Sequence, residues 1–156
     1  MQLHLIFIGK TSLPEALEGI PRYLGRIEHY CRVRVHTVRA EKIAHGTSEP
    51  LVQQKETKRI LELVGTDHPL VAWDQRGTQL TSPGLAKLVS GLENSGVPRV
   101  WMAIGGPLGF DAELRRRADH LLALSHLTFP HDLARLLVLE QIYRAFTIIR
   151  NEPYHK

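Results

Sequence analysis

Three groups of residues in this 156-residue chain have the types and spacing to do chemistry. The first is Gly105-Gly106-Pro107-Leu108-Gly109, directly after the unbroken apolar run Val100-Trp101-Met102-Ala103-Ile104. Glycine lacks the Cβ that keeps other residues away from a ligand, so backbone here can approach one closely. The spacing matches neither G-x-G-x-x-G nor G-x-x-x-x-G-K-[ST], so neither phosphate-binding fingerprint is present, and a tight strand-to-helix turn would use the same residues. The second group is drawn from nine histidines. Their spacing fits no H-E-x-x-H or Cys/His zinc pattern, and most are expected at the surface. His131 stands apart because it lies between Pro130 and a strongly apolar segment, and His155 because no core requirement explains the tail Tyr154-His155-Lys156. Imidazole titrates near neutrality, so both are candidates for proton handling. The third group is Glu140 and Arg144, four apart with the acid first, the favourable order for a helix ion pair, with Thr147 continuing their stripe. They read either as a paired structural stripe or as a polar wall facing a cleft or a second subunit.

Alternating strands and helices are required to position these groups. Leu3, Leu5 and Phe7 alternate with Gln2, His4 and Ile6, predicting a strand that ends at Gly9. Pro14, then Ala16, Leu17, Ile20, Tyr23, Leu24 and Ile27, predict an amphipathic helix kinked by Pro21. Residues 33–38 read as a second strand, residues 41–48 as a mobile loop, and Leu51, Ile60, Leu61 and Val64 as a helix ending at Gly65. A short buried strand over 70–73 is followed by a turn at Arg76-Gly77-Thr78, and Ser82-Pro83 opens a helix stopped by Gly96. Residues 100–104 form a fourth strand, Asp111 caps a short basic helix, residues 121–124 form a fifth strand, and a final helix runs from Pro130 to about Arg150. That helix is apolar almost all round, at Leu133, Leu136, Leu137, Val138, Leu139, Ile142, Phe146, Ile148 and Ile149, so it is expected to be buried and to form a homodimer interface. Five alternations with continuous apolar strands predict an α/β fold, a mainly parallel sheet with helices on both faces. Ligands then bind at the carboxyl ends of the strands, which points to the loops after Ile104 and Leu124.

At 43% apolar and 23% charged residues, the chain is an ordinary globular protein of one domain over residues 1–156, and disorder and collagen-like repeats are excluded. Cys31 is the single cysteine, so an intramolecular disulfide is excluded and a reducing compartment is expected. The apolar N-terminus has no basic region before it and is too short for a signal peptide. The longest stretches free of Asp, Glu, Lys and Arg fall short of the ~20 residues of a membrane span, so a cytoplasmic location away from membrane is expected. The net charge is +4, unevenly distributed: residues 21–60 hold nine basic and four acidic residues, an excess of +5. Such a segment attracts phosphate backbones, although a solvated helix surface gives the same count.

Several blocks taken together resemble one family. They are Asp74-Gln75-Arg76-Gly77, Thr81-Ser82-Pro83-Gly84-Leu85-Ala86, Ile104-Gly105-Gly106-Pro107-Leu108-Gly109, Leu124-Ser125-His126-Leu127-Thr128-Phe129-Pro130-His131 with Arg135 and Glu140 to Ala145, and the terminal Pro153-Tyr154-His155-Lys156. Nearly end to end, the chain is similar to the bacterial pseudouridine-N3 methyltransferases of large-subunit ribosomal RNA, of the SPOUT class. The resemblance implies a C-terminal trefoil knot, an obligate homodimer, and S-adenosylmethionine bound by Trp73, Gly105, Gly106, Leu124, Ser125, His126, Leu127, Thr128 and Phe129. It implies that His131, Arg144, Tyr154 and His155 serve catalysis and that Arg135 binds substrate, with the tail completing the partner subunit's site and no metal required. The sequence departs from the family at Leu108, often polar there, and at Trp73, often aliphatic. The implied activity is methylation of N3 of a pseudouridine on assembled ribosomes; the alternative is a catalytically idle RNA-binding or ribosome-associated homodimer of the same fold.

Overall fold

The computed structural model describes residues 1–155; Lys156 and the side chain of His155 lie outside the described residues. The elements run β1 (Gln2–Ile8), α1 (Pro14–Ile27), β2 (Arg32–Val38), α2 (Glu49–Val64), β3 (Leu70–Gln79), α3 (Ser82–Asn94), β4 (Arg99–Ile104), α4 (Ala112–Arg117), β5 (His120–Ala123) and α5 (His131–Ile149), with a 3-10 turn at Pro153–His155. The strands form one sheet in the order β2-β1-β4-β3-β5, every pair parallel. Leu3, Leu5, Phe7, Val100, Met102 and Ile104 face a core closed by α1, α3 and α5, while Ile6, Ile8, Trp101 and Ala103 face a second core closed by α2 and α4. The parallel α/β architecture expected from the alternation is therefore present. No described helix is long and apolar enough to cross a membrane.

Four local expectations change. Most histidines were expected at the surface, but β1 lies inside the sheet with helices on both faces, so His4 is buried beside Ile6 and Ile8. Its ring stacks on His36, with Nδ1 3.0 Å from His36 Nε2. The third strand does not stop at Trp73. Residues 71–73 pair with 120–122, residues 74–77 step out of register, and Thr78 and Gln79 resume pairing with Leu122 and Ala123. The supposed turn is thus an irregularity inside β3, and Gly77 is what permits it: a Cβ there would lie 2.4 Å from the carbonyl carbon of Leu122.

The cap of α3 is Thr81 rather than Ser82, its hydroxyl accepting the Gly84 amide at 3.1 Å, while Ser82 and Pro83 occupy the first turn. Finally, α5 is not buried all round. Val138, Leu139, Ile142, Ala145 and Phe146 are inside, whereas Leu133, Leu136, Leu137, Ile148 and Ile149 are half-buried. Thr147 leaves the Glu140 and Arg144 stripe, because its hydroxyl donates to the Arg144 carbonyl at 2.8 Å and can enter the core satisfied.

Candidate active site

At the carboxyl ends of β3, β4 and β5 a cavity of ≈ 180 Å³ opens to solvent. Its walls are Trp73 and Asp74 from β3, residues 104–109 after β4, Leu124, Ser125, Leu127, Thr128 and Phe129 after β5, and His131, Ala134 and Val138 from α5. Parallel strands bring their carboxyl ends to one rim, which explains how three segments separated in the chain by whole helices meet here. Of the nine residues implied to hold the cofactor, eight line this cavity; His126 is exposed beside it. Gly105 and Gly106 do not have positive φ, and a Cβ on either would make only ordinary contacts, the nearest at 3.4 Å. Packing inside the protein therefore does not demand glycine at these two positions, and their open backbone faces the cavity.

Asp74, quoted above only within the Asp74-Gln75-Arg76-Gly77 block and given no role there, also lines the cavity. Buried, it accepts the Arg76 amide at 2.9 Å on Oδ1 and the Phe110 amide at 3.1 Å on Oδ2, tying the β3 irregularity to the glycine loop. Gly109 is required for this clamp. It adopts φ +69° and a Cβ would lie 3.2 Å from Asp74 Oδ2. The signal was a carboxylate directly after the buried apolar run 70–73, where a charge needs compensation.

His131 is the first residue of α5 and forms part of the cavity wall. Its Nε2 lies 3.2 Å from Asp132 Oδ1. Burial lowers the His131 pKa, helped by the Arg135 charge and opposed by Asp132, so the ring is neutral at neutral pH. With Asp132 ionised, Nε2 carries the proton and Nδ1 is the free acceptor. For Asp132 itself, burial pushes the pKa up but is outweighed by the Ser12 and Leu13 amides and by the His131 and Arg135 charges, leaving it lowered. Those amides donate to Oδ2 at 2.7 and 2.9 Å.

Arg135, implied to bind substrate, is completely buried. Its guanidinium donates to the Ile8 carbonyl, to Thr11 Oγ1 at 2.9 Å and to Asp132 Oδ1 at 2.9 Å, over the Phe7 ring at 5.1 Å. These bonds lie inside the fold: together with Asp132, Arg135 bolts the β1–α1 loop to the start of α5, while its Nε is buried without a partner.

Arg144 and Tyr154 meet elsewhere. Arg144 donates to Glu140 Oε1 through Nε at 3.0 Å and Nη2 at 2.5 Å, and its guanidinium lies 5.0 Å over the Tyr154 ring. The hydrogen bond with Glu140 is the main reason its pKa is raised. Tyr154 donates to the same Oε1 at 3.1 Å, lies 3.3 Å from the Tyr23 hydroxyl, and packs edge-on against Tyr143. Burial first, then the Tyr23 hydrogen bond and the Glu140 charge, raise the Tyr154 pKa, so it stays protonated. Neither residue lines the cavity of its own chain. Among the described residues no cluster of three or more His, Cys, Asp or Glu could hold a metal ion.

Residues 1–155 match the family model described as "Predicted SPOUT methyltransferase". Relatives called ribosomal RNA large subunit methyltransferase H are 54% identical in Syntrophobacter fumaroxidans, over the whole of both chains, and 43% identical in Geobacter sulfurreducens, over 99% of both. One from Clostridium kluyveri is 36% identical over the whole of both chains. With the sheet, the strand-end cavity and these full-length likenesses in agreement, this chain belongs to the SPOUT methyltransferase family.

Proposed function

We propose that this protein uses S-adenosylmethionine to methylate N3 of a pseudouridine in large-subunit ribosomal RNA, acting as a cytoplasmic homodimer on assembled ribosomes. The observation that carries the reading is the strand-end cavity with a neutral histidine in its wall, in a chain that matches ribosomal RNA methyltransferases from end to end. The residues present fit the cofactor. Leu124, Leu127, Phe129 and Val138 supply apolar walls for an adenine, open backbone at Gly105, Gly106 and 124–129 supplies its hydrogen bonds, and the Trp73 indole N–H is buried without a partner. His126 contributes backbone only. The bound cofactor supplies an electrophilic methyl group on a sulfonium.

The chain's own residues do the rest. His131 Nδ1 accepts the N3 proton as the general base, its tautomer held by Asp132. The pocket orients the nucleophile for in-line approach, which contributes more of the rate than the base. Arg144, Tyr154 and His155 complete the pocket of the partner subunit, since Arg144 and Tyr154 do not reach their own. The trefoil knot that the family resemblance implies belongs to this reading.

Incubation with undermethylated ribosomes and methyl-labelled cofactor, followed by mass mapping of the RNA, tests it: one methyl group on N3 of a single pseudouridine is expected. Calorimetry showing no cofactor binding even with ribosomes present would leave the idle RNA-binding homodimer.

A further inference from the structure

The +5 excess of residues 21–60 divides into two populations in the structure. Arg22 pairs with Glu18 at 3.1 Å and Lys58 with Glu62 at 4.0 Å; Lys55 and Arg59 both hold Glu41, and Arg26 lies over the rings of Tyr23 and Tyr143. The other four, Arg32, Arg34, Arg39 and Lys42, are exposed, and among the described residues their side chains join no ion pair or hydrogen bond. Lys10 and Arg99 share that condition.

These six are neighbours. Arg32 and Arg99 flank Gln2 in register, Arg34 is opposite His4, and all three arginines share the sheet face of His4 and Trp101. Along β2 from Arg32 to Arg39 is about 23 Å. Beyond its carboxyl end, Lys10 follows Gly9, whose amide donates to the Val38 carbonyl at 2.8 Å and whose Cα faces Ala40. Lys42 is two residues further on. This end adjoins the cavity, because Gln53 of α2 donates to the Leu108 carbonyl of the glycine loop at 2.7 Å and Ile8 packs under Gly106. The one acid within the loop, Glu41, is turned to α2, where the Arg59 hydrogen bond outweighs the opposing effect of burial and, with the Arg59 and Lys55 charges, lowers its pKa.

We propose that this free sheet edge is a track for the phosphate backbone of RNA, running from Arg99 and Arg32 to Arg39, Lys42 and Lys10 beside the cavity. The proposal rests on the ribosomal RNA reading above and deepens it. Six like charges with no counter-charge from the fold repel one another, and a polyanion laid along the line relieves that repulsion. Guarding a free strand edge explains Arg32 and Arg34, but not Arg99 on the interior strand β4 or the bases past the strand end. An acidic protein partner would want aromatic anchors among the charges, and the exposed apolar residue on β2 is Val35 alone.

The test compares the full-length protein with the variant Arg32→Gln/Arg34→Gln/Arg39→Gln/Lys42→Gln in steady-state methylation of ribosomes and in filter binding, over a salt series. The loss is expected in KM, about tenfold or more, rather than in kcat. The slope of log affinity against log salt should fall by about 3. Cofactor affinity by calorimetry should hold, and the matching Arg→Lys variant, charge kept, should bind ribosomes like the wild type. An unchanged KM and salt slope overturns the track, as does self-association of the variant in place of weaker binding. Equal loss of binding to ribosomal protein stripped of RNA also overturns it, in favour of an acidic protein. Absence of methyl transfer by the wild type would sink the activity reading, while filter binding would still decide the track.

Discussion

The first and second halves of α5 each carry an acid followed three or four residues later by an arginine, in unlike surroundings. At the start, Asp132 and Arg135 are 3% and 0% exposed, and the pair holds the Ile8 carbonyl, Thr11, Ser12 and Leu13 as well as His131. Toward the end, the side chains of Glu140 and Arg144 keep 16% and 28% of their exposure and bind only each other, Gln141 and Tyr154. The buried pair spends both terminal guanidinium nitrogens and both carboxylate oxygens on its own fold, Arg135 Nε alone lacking a partner, so it is built to fix geometry. The half-exposed pair fixes little and stays within reach of another molecule. In the reading proposed above, positioning and recognition are separated along one helix by how much water each pair sees.

Arg135→Met should break the comparison most visibly. It leaves the Asp132 carboxylate buried without its cation, which costs about 3–5 kcal/mol, read as a shift in urea unfolding. Arg144→Met, at a partly exposed pair, should cost under about 1 kcal/mol in the same assay. Equal losses would mean that the two halves are not distinguished by burial.

Next in size is a loss of rate. His131→Ala removes the proposed base and should lower single-turnover methyl transfer by about 10² to 10⁴ while leaving the fold in place. Asp132→Asn separates two roles, because it keeps the shape of the side chain but weakens its hold on the His131 tautomer and on Arg135. If His131→Ala transfers methyl groups at the wild-type rate, the base lies elsewhere, and the start of α5 positions the loop alone.

How far the sequence announced this division depends on the distance over which each signal acts. Strand and helix periods are local, and they predicted the five alternations and the strand-end site around Gly105 and Gly106. The break at 76–78 was visible too, but not its meaning, because Gly77 is dictated by Leu122, forty-five residues away in the chain and 2.4 Å from its missing Cβ. The surroundings of Arg135 were hidden for the same reason. On a helical wheel an arginine looks available, and only the fold brings Ile8, Thr11 and Asp132 around it. Glu140 and Arg144 were legible as a pair because their partnership is within one turn of helix. The location of Tyr154 beside them was not, since it depends on the chain folding back after α5.

A smaller effect follows from pH. Burial lowers the pKa of His131 and of the stacked pair His4 and His36, so at a pH just below 6.5 the unfolded chain binds more protons than the folded one. Stability therefore rises with pH through this window and is lost as pH falls below about 6.5. Around the second half of α5 the Arg144 and Tyr154 shifts run upward, away from this range. Thermal unfolding should show a lower Tm at pH 5.5 than at pH 7.5, and His36→Gln should flatten that dependence. A Tm independent of pH over this interval would mean that the buried imidazoles are not held neutral.

The smallest stability change belongs to Tyr154→Phe, yet it probes the comparison most directly. The substitution removes one hydroxyl with its bonds to Glu140 and Tyr23 and keeps the ring against Tyr143 and Arg144, so the cost should be about 1 kcal/mol or less. Methyl transfer should nevertheless fall steeply, because the hydroxyl serves the partner's pocket in the reading above. Subunits carrying His131→Ala retain a good Tyr154, and subunits carrying Tyr154→Phe retain a good His131. Mixed and allowed to exchange, half the dimers should be hybrids, each with one intact composite site, and activity should return to about a quarter of the wild type. A site made within one chain predicts no recovery at any mixing ratio. Recovery would therefore show that the second half of α5 is read by a second copy of the chain, while silence from the mixture would place both residues in the service of one pocket.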